Sequence, residues 1–445
     1  MTCIEFFDKE SIEDICTCFA VNADEVVFIG KDKKLMEKYI CRYERIFSDR
    51  GVNIHFNTVS VNIEDLNDIV DKIIQVIEQR IDDNESFVFD LTGGDDLCLV
   101  AMGIVYERLK SSDIQMHRFN LRNNKIVDCD ADGNILAEED APVISIEENI
   151  RIFGGDVIYG TNSEQGSFSW DMNDEFVQDI ESMWAILKNT AKYNSVRAWN
   201  KQISIFETIE HCGTIDSLTS SVSKTILEST LAEEGENFVC ITGIIKKLEY
   251  YRLASYSDDG RNIVVTYKNE QIKRCLTKAG QVLEMVVYLF ALRSIDKYKR
   301  AVYNDVMTGV YIDWDGDIHT EQDGFDTENE IDVMMMHGTV PVFISCKNGK
   351  VEIDELYKLN AVATKFGGKY ARKILVTTSL GKNKTDSGKN TTAGYIRQRA
   401  KDMNIDILEL IYPTEKRGIE CMTDEEFQKA MDNAWRYIPR REISV

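Results

Sequence analysis

A chain of 445 residues, 43% apolar and 29% charged, has room for roughly two to four globular domains, and its formal net charge of -24 argues against nonspecific affinity for nucleic acid. With four prolines there is no Pro-rich linker, no apolar run is long enough to cross a bilayer, and the opening residues lack the basic and apolar regions of a signal peptide. The eleven cysteines show no zinc-type paired spacing, Cys16 and Cys18 being the one close pair, so the expectation is a cytoplasmic protein with free buried thiols and no membrane partner.

Residues 1–160 alternate strands and helices. Strands are expected over 3–7, 25–30, 52–61 and 86–92, and helices over 11–19, 35–47, 63–81 and 97–109. In the third helix Leu66, Ile69, Val70, Ile73, Ile74 and Ile77 fall at helical spacing. That β-α-β-α order predicts a mostly parallel sheet with helices on both faces, whose ligands bind beyond the carboxyl ends of the strands. Two strand ends are candidates. One runs from Phe7 through Asp8 to Ser11, where Ser11 is placed to cap a helix. The other is Asp90-Leu91-Thr92-Gly93-Gly94-Asp95-Asp96, where Gly93 and Gly94 let backbone N–H groups approach a phosphate and Thr92 adds a hydroxyl.

The strand-Thr-Gly-Gly-helix arrangement resembles the CARF domain, the sensor of CRISPR cyclic oligoadenylates. Many CARF domains follow Gly-Gly with a polar residue and a lysine, whereas here Asp95 and Asp96 stand. The resemblance implies ligand contacts from the Gly93 and Gly94 backbone with Asp8, Ser11 and Thr92. Lys31 or Lys33 could supply positive charge.

Residues 161–198 read as a helical connector. Residues 199–274 follow with helices over 199–211, 215–231 and 243–253, then a hairpin over 254–272 around Asp258-Asp259-Gly260. This is the order of a winged helix. Lys246, Lys247 and Arg252 on its third helix could meet DNA, or the unit could be a spacer between the two ends.

Residues 275–445 begin with a helix over 279–292. Strands follow near 306–313, 330–336 and 342–347, then a helix over 353–366, a strand over 373–378, a helix over 394–403 and a strand over 405–411. The second and third strands form a hairpin turning at His337-Gly338-Thr339, which brings Asp332 beside Cys346 and Lys347. There a carboxylate could hold a divalent cation and a lysine could steady an attacking water or the charge on phosphorus. Residues 313–319 make an acidic connector. Between Lys369 and Lys401, nine Lys and Arg residues stand against one acid, Asp386, and the loop over 381–390 has the composition of a phosphate-contacting segment.

The hairpin resembles the PD-(D/E)xK nuclease superfamily at Asp332 and Lys347 and departs from it at Ser345, where the family has Asp or Glu. A hard cation prefers charged oxygens, so a further carboxylate is needed. Glu284 ranks first, because it interrupts an apolar helix where a charge is costly without a partner. Glu330, on the Asp332 face of its strand, ranks second, and Glu352 and Glu355 follow the lysine. Cys346 could reach a metal through its backbone carbonyl.

Across nearly its whole length the chain resembles the CARF-nuclease group of CRISPR type III ancillary effectors, the Card and Can nucleases. The fold implied is α/β and multidomain: a Rossmann-like CARF domain at 1–160, a connector at 161–198, a winged-helix-like domain at 199–274 and a restriction-endonuclease-like αβββαβ domain at 275–445. The resemblance further implies a homodimer that shares one symmetric activator, cyclic tetra-adenylate, and a Mg2+- or Mn2+-dependent endonuclease in antiviral defence. DNA and RNA both remain open as substrate. Competing readings are a ligand-responsive winged-helix regulator with an inactive nuclease domain, a ribonuclease with little DNA activity, and a noncatalytic nucleotide-binding scaffold.

Overall fold

The computed structural model describes the chain apart from residues 8–10, 81–85, 110–112, 121–123, 131–133, 161–165, 194–195, 234, 240, 317–327, 382–390, 414–418 and 437–445. The first sheet is built by β1 (Thr2–Phe6), α1 (Ser11–Ala20), β2 (Glu25–Gly30), α2 (Lys33–Asp49), β3 (His55–Ser60), α3 (Leu66–Glu78), β4 (Phe87–Asp90), α4 (Asp96–Arg108) and β5 (Ile114–Asn120), followed by β6 (Lys125–Cys129) and β7 (Ile135–Asp140). Its strand order is β3-β2-β1-β4-β5-β6-β7. Strands β1 to β5 run parallel, and β6 and β7 extend the edge as an antiparallel meander. The central strands are buried on both faces, which is why they read as unbroken apolar runs. Asp32 and Asp65 cap α2 and α3 by accepting backbone N–H bonds.

The chain then passes through α5 (Ile146–Ile152), β8 (Asp156–Ile158) and α6 (Asp174–Tyr193). The middle unit contains α7 (Val196–Cys212), β9 (Thr214–Asp216), β10 (Thr219–Ser223), α8 (Lys224–Glu233), α9 (Thr242–Tyr250), β11 (Ala254–Asp258) and β12 (Asn262–Tyr267), with sheet order β11-β12-β10-β9. One expectation is corrected here: residues 215–223 belong to the hairpin of β9 and β10, and the helix begins only at Lys224. Ser and Thr at alternate half-buried positions of β10 suit a pleated surface better than a helix interior.

The last unit holds α10 (Glu270–Thr277), α11 (Gln281–Leu292), β13 (Asp305–Asp313), β14 (Glu328–His337), β15 (Val340–Lys347), α12 (Ile353–Gly367), β16 (Arg372–Thr377), α13 (Thr392–Asp402) and β17 (Asp406–Glu409). Its sheet runs β17-β16-β15-β14-β13-β8, so a strand from the end of the N-terminal region forms one edge. β13, β14 and β15 are antiparallel, while β16 and β17 run parallel to β15. Residues of α11 pack with Val333, Met335, Ile344 and Cys346 on one face, and α12 packs with Met334, Met336, Phe343 and Leu375 on the other. The second cluster is continuous with Ile12, Phe28 and Phe47 of the N-terminal region, which ties the first and last units through one apolar core.

Candidate active site

The hairpin closes at Gly338 and Thr339, with Gly338 at a positive φ of 61° and His337 opposite Val340. From there the ladder holds to Val333 opposite Ile344, and β14 then parts from β15. On the other side, the register with β13 passes from Thr308–Val333 to Val310–Ile331 around Gly309, whose φ is +60°. The Thr308 hydroxyl donates to the Asp332 backbone carbonyl at 3.0 Å, meeting an acceptor at this irregular point.

Asp332 Oδ2 accepts from the Cys346 backbone N–H at 2.6 Å and from the Ser345 hydroxyl at 3.2 Å. Lys347 Nζ lies 3.9 Å from the same oxygen and 3.0 Å from Glu355 Oε2, which the first turn of α12 presents. These groups line a cleft of about 340 Å³ together with Glu328, Glu330 and Lys358. Glu284 approaches from α11 and does not line the cleft. It is 5% exposed, and Gln281 Nε2 donates to its Oε2 at 2.9 Å. Gly280, at φ +91°, opens α11, and its carbonyl accepts from the N–H of Glu284 at 3.2 Å.

Electrostatics bind these residues into one system. Burial pushes the Glu284 carboxyl up to about 8, the Asp332 charge adds to this, and Lys278 opposes it. Burial likewise raises Asp332, against the pull of Lys347 and the Cys346 N–H. For Lys347, burial acts to lower the pKa, but Asp332 and Glu355 outweigh it and keep the ammonium charged. Lys278 is also held above the usual lysine range: burial acts to lower it, and Glu284 and Glu330 outweigh that.

The geometry therefore brings together Asp332, Lys347, Ser345 and Glu355, with Glu284 behind them. Glu330 turns to Lys278, with 2.7 Å between Oε1 and Nζ. Glu355 was outranked in the sequence because nothing local shows that the first turn of α12 returns over the end of β15. The Cys346 thiol is buried in the apolar cluster on the α11 face, and burial pushes it well up, so this residue meets the site through its backbone. Just beyond Lys347, Asn348 Nδ2 donates to Asn200 Oδ1 of α7 at 2.7 Å, linking the middle unit to the lysine's turn.

At the N-terminal candidate site, Asp8 lies outside the described residues, and Ser11 is described only as the first residue of α1. Thr92 is already engaged: its hydroxyl donates to Asp90 Oδ1 and accepts from the Phe119 N–H at 2.9 Å. Gly94 has φ +103°, and a Cβ there would stand 2.6 Å from the Phe6 ring, so glycine is required. Asp95 caps α4 through the Leu97 N–H, which places a carboxylate where a phosphate would otherwise find that donor. In the basic segment, Arg372 pairs with Asp406 and Arg397 with Glu409, while Lys373 donates to Asn360 and the Met403 carbonyl. The loop over 382–390 lies outside the described residues.

Residues 269–410 match the family described as Card1-like, endonuclease domain. No curated protein matches the chain. Among solved structures, the fold is similar to that of protein VC1899 from Vibrio cholerae, with 14% identity, a TM-score of 0.65 and coverage of 98% of this chain and 96% of that one. It is also similar to Can2 from Sulfobacillus thermosulfidooxidans, solved in complex with cyclic tetra-adenylate, with 12% identity, a TM-score of 0.61 and coverage of 98% and 99%. The mixed α/β architecture, with its Rossmann-like parallel sheet, is thus shared with these chains along nearly their full lengths.

Proposed function

We propose that this chain, through its Card1-like endonuclease domain, is a metal-dependent endonuclease switched on by a cyclic oligoadenylate bound at the N-terminal sheet. The observation that carries the reading is the convergence of Asp332, Lys347 and Glu355 in one cleft, with Glu284 behind Asp332, inside the segment that matches that family. Asp332 is a half-buried and Glu284 a buried acid, offset only in part by Lys278 and Lys347, and carboxylate oxygens suit a hard cation such as Mg2+ or Mn2+. They would hold the ion, with Glu355 beside them. When bound, it supplies Lewis-acid stabilisation and lowers the pKa of water.

The chain's own residues do the rest. The Cys346 N–H and the Ser345 hydroxyl orient Asp332. Ser345, at the position where the superfamily carries an acid, thus helps hold the neighbouring carboxylate in place. Lys347 stays cationic at the cleft, where it can stabilise charge developing on a phosphate. Glu355 fixes that ammonium, and Lys278 holds Glu330 aside.

Similarity of fold to a Can2 solved with cyclic tetra-adenylate supports cyclic tetra-adenylate as activator, bound across a twofold axis by the Gly93–Gly94 turns of a homodimer. To act as a switch, that ligand must bind the active arrangement more tightly than the inactive one. The proposed division keeps a sensor at 1–160, a connector at 161–198, a winged-helix-like unit at 199–274 and the nuclease at 275–445. The test is cleavage of supercoiled plasmid, single-stranded DNA and single-stranded RNA with Mn2+, with and without cyclic tetra-adenylate. Ligand-dependent cleavage is expected, and the substrate pattern reads the specificity. Ligand binding without cleavage of any substrate would overturn the nuclease reading.

A further inference from the structure

Between the first sheet and α1 lies a polar cluster that the proposed nuclease chemistry does not use. Cys3 and Glu5 alternate with Ile4 on β1 and point to the α1 side of the sheet, Asp90 ends the adjacent β4, and Cys18 comes from α1. All four side chains are fully buried, at 0% exposure. The two Sγ atoms and a Glu5 carboxylate oxygen lie within 4.8 Å of one another. Asp90 lies against Glu5, yet neither Glu5 oxygen has a partner at hydrogen-bonding geometry, nor have Asp90 Oδ2 and Thr17 Oγ1. No lysine or arginine is bonded to Glu5 or Asp90 among the described residues. An unpaired carboxylate in such a place is costly.

We propose that Cys3, Glu5 and Cys18 form a structural zinc site that pins α1 to β1, with Asp90 as its fourth ligand. Two sulfurs and two carboxylates make a donor set that tetrahedral Zn2+ accepts. In such a site sulfur donors stand about 3.8 Å apart, so the three donor atoms of Cys3, Glu5 and Cys18, within 4.8 Å of one another, close with small side-chain rotations, and Asp90, beside Glu5, would turn in as the fourth. Two thiolates and two carboxylates around one Zn2+ leave the same charge as a four-cysteine site. A proton shared between Glu5 and Asp90 would account for the acids, but it gives no reason for two thiols to meet them at one point. Cys3, Glu5 and Cys18 come from the consecutive elements β1 and α1 and Asp90 from the distant β4, so the ion would close one short and one long loop in the manner of a cross-link. It would also fix the strand end that carries Asp90, whose Oδ1 holds the Thr92 N–H at 2.8 Å.

The full-length chain, with thiols kept reduced, is titrated with Co2+ alone. One equivalent should produce a thiolate-to-cobalt charge-transfer band and tetrahedral visible bands, which Zn2+ then displaces, and Cys18→Ser, with the Cys3 thiolate alone remaining, should cut the charge-transfer band to about half or less. Because Cys18→Ser could disturb folding, Glu5→Gln is measured in parallel, since it mimics the protonated acid in shape. Its Zn2+ affinity should fall on the order of 100-fold, and the rise in Tm that Zn2+ gives the parent chain should vanish. No thiolate band in the parent chain, a band of undiminished strength in Cys18→Ser, or a Glu5→Gln chain that still gains the parent's full rise in Tm with Zn2+ would each overturn the proposal.

Discussion

Acids gather at strand ends in two regions of this molecule, and the two clusters treat their charge in opposite ways. Around β14 and β15, Asp332, Glu330 and Glu355 share their surroundings with Lys278 and Lys347 and open onto a cleft of about 340 Å³. Around β1 and β4, Glu5 and Asp90 are sealed among thiols and apolar side chains, with no ammonium bonded to them among the described residues. Burial raises the pKa of Glu5 and Asp90 in the one cluster and of Asp332 in the other, but among the described residues only Asp332 has a lysine, Lys347, to offset it. A cleft with lysines can receive an anionic substrate, whereas a sealed cluster without them suits a structural role. That contrast separates the active-site reading from the structural one.

The contrast breaks most sharply at the cleft. Asp332→Ala and Lys347→Ala should each cut cleavage on the order of 10³-fold while leaving cyclic tetra-adenylate binding intact. Full activity in either variant, measured by plasmid nicking, would remove the site assignment. Next comes Glu355→Gln, which frees Lys347 from its closer carboxylate and should lower the cleavage rate about 10- to 100-fold. Glu330→Gln, whose residue is turned to Lys278, should cost less than that, and the reverse order would return Glu330 to the centre.

A pH series sharpens the comparison further. The Glu284 carboxyl is raised in the fold from 4.5 to about 8. Folding therefore favours its protonated form, and this stabilisation is complete below about 4.5 and lost as pH rises through about 8. Metal-free protein should lose Tm across that window, and Glu284→Gln should flatten the loss. An unchanged slope would place Glu284 in a wetter setting. Smallest of all, Asn348→Ala should lower cleavage only a few-fold, about what one lost hydrogen bond near a reacting group gives, without changing the Mn2+ concentration at half-maximal rate. A shift in that concentration would make the Asn200–Asn348 contact part of metal binding.

Much of this was legible along the chain wherever local pattern and tertiary setting agree. The hairpin could be folded on paper because a two-residue turn fixes register, and register fixes which residue meets Asp332. Glu284 stood out because a charge within an apolar helix needs a reason. Glu355 did not, because its role depends on the angle at which α12 crosses β15, and no spacing encodes that angle. The strands β5 to β7 also escaped: β7 is exposed throughout, so its pattern lacks the alternation that marks a half-buried strand. The zinc-site candidates Cys3 and Cys18 sit on consecutive elements without a paired spacing and meet because α1 folds back over β1. The close pair Cys16 and Cys18 does not share a face, since residues two apart on a helix point in different directions.

The short strand β8 carries a practical consequence. Severing the chain at residue 160 would take from the last unit the strand that covers the edge of β13. It would also remove Asn149, which donates to the Phe366 carbonyl at 2.6 Å, and the Phe153 carbonyl that receives Lys365 at 3.1 Å. An uncovered sheet edge invites pairing with other chains. A fragment starting near residue 141 would keep that edge covered, while one starting at 161 would tend to aggregate. Anyone isolating the catalytic half for crystallisation or inhibitor screening would do well to cut ahead of α5.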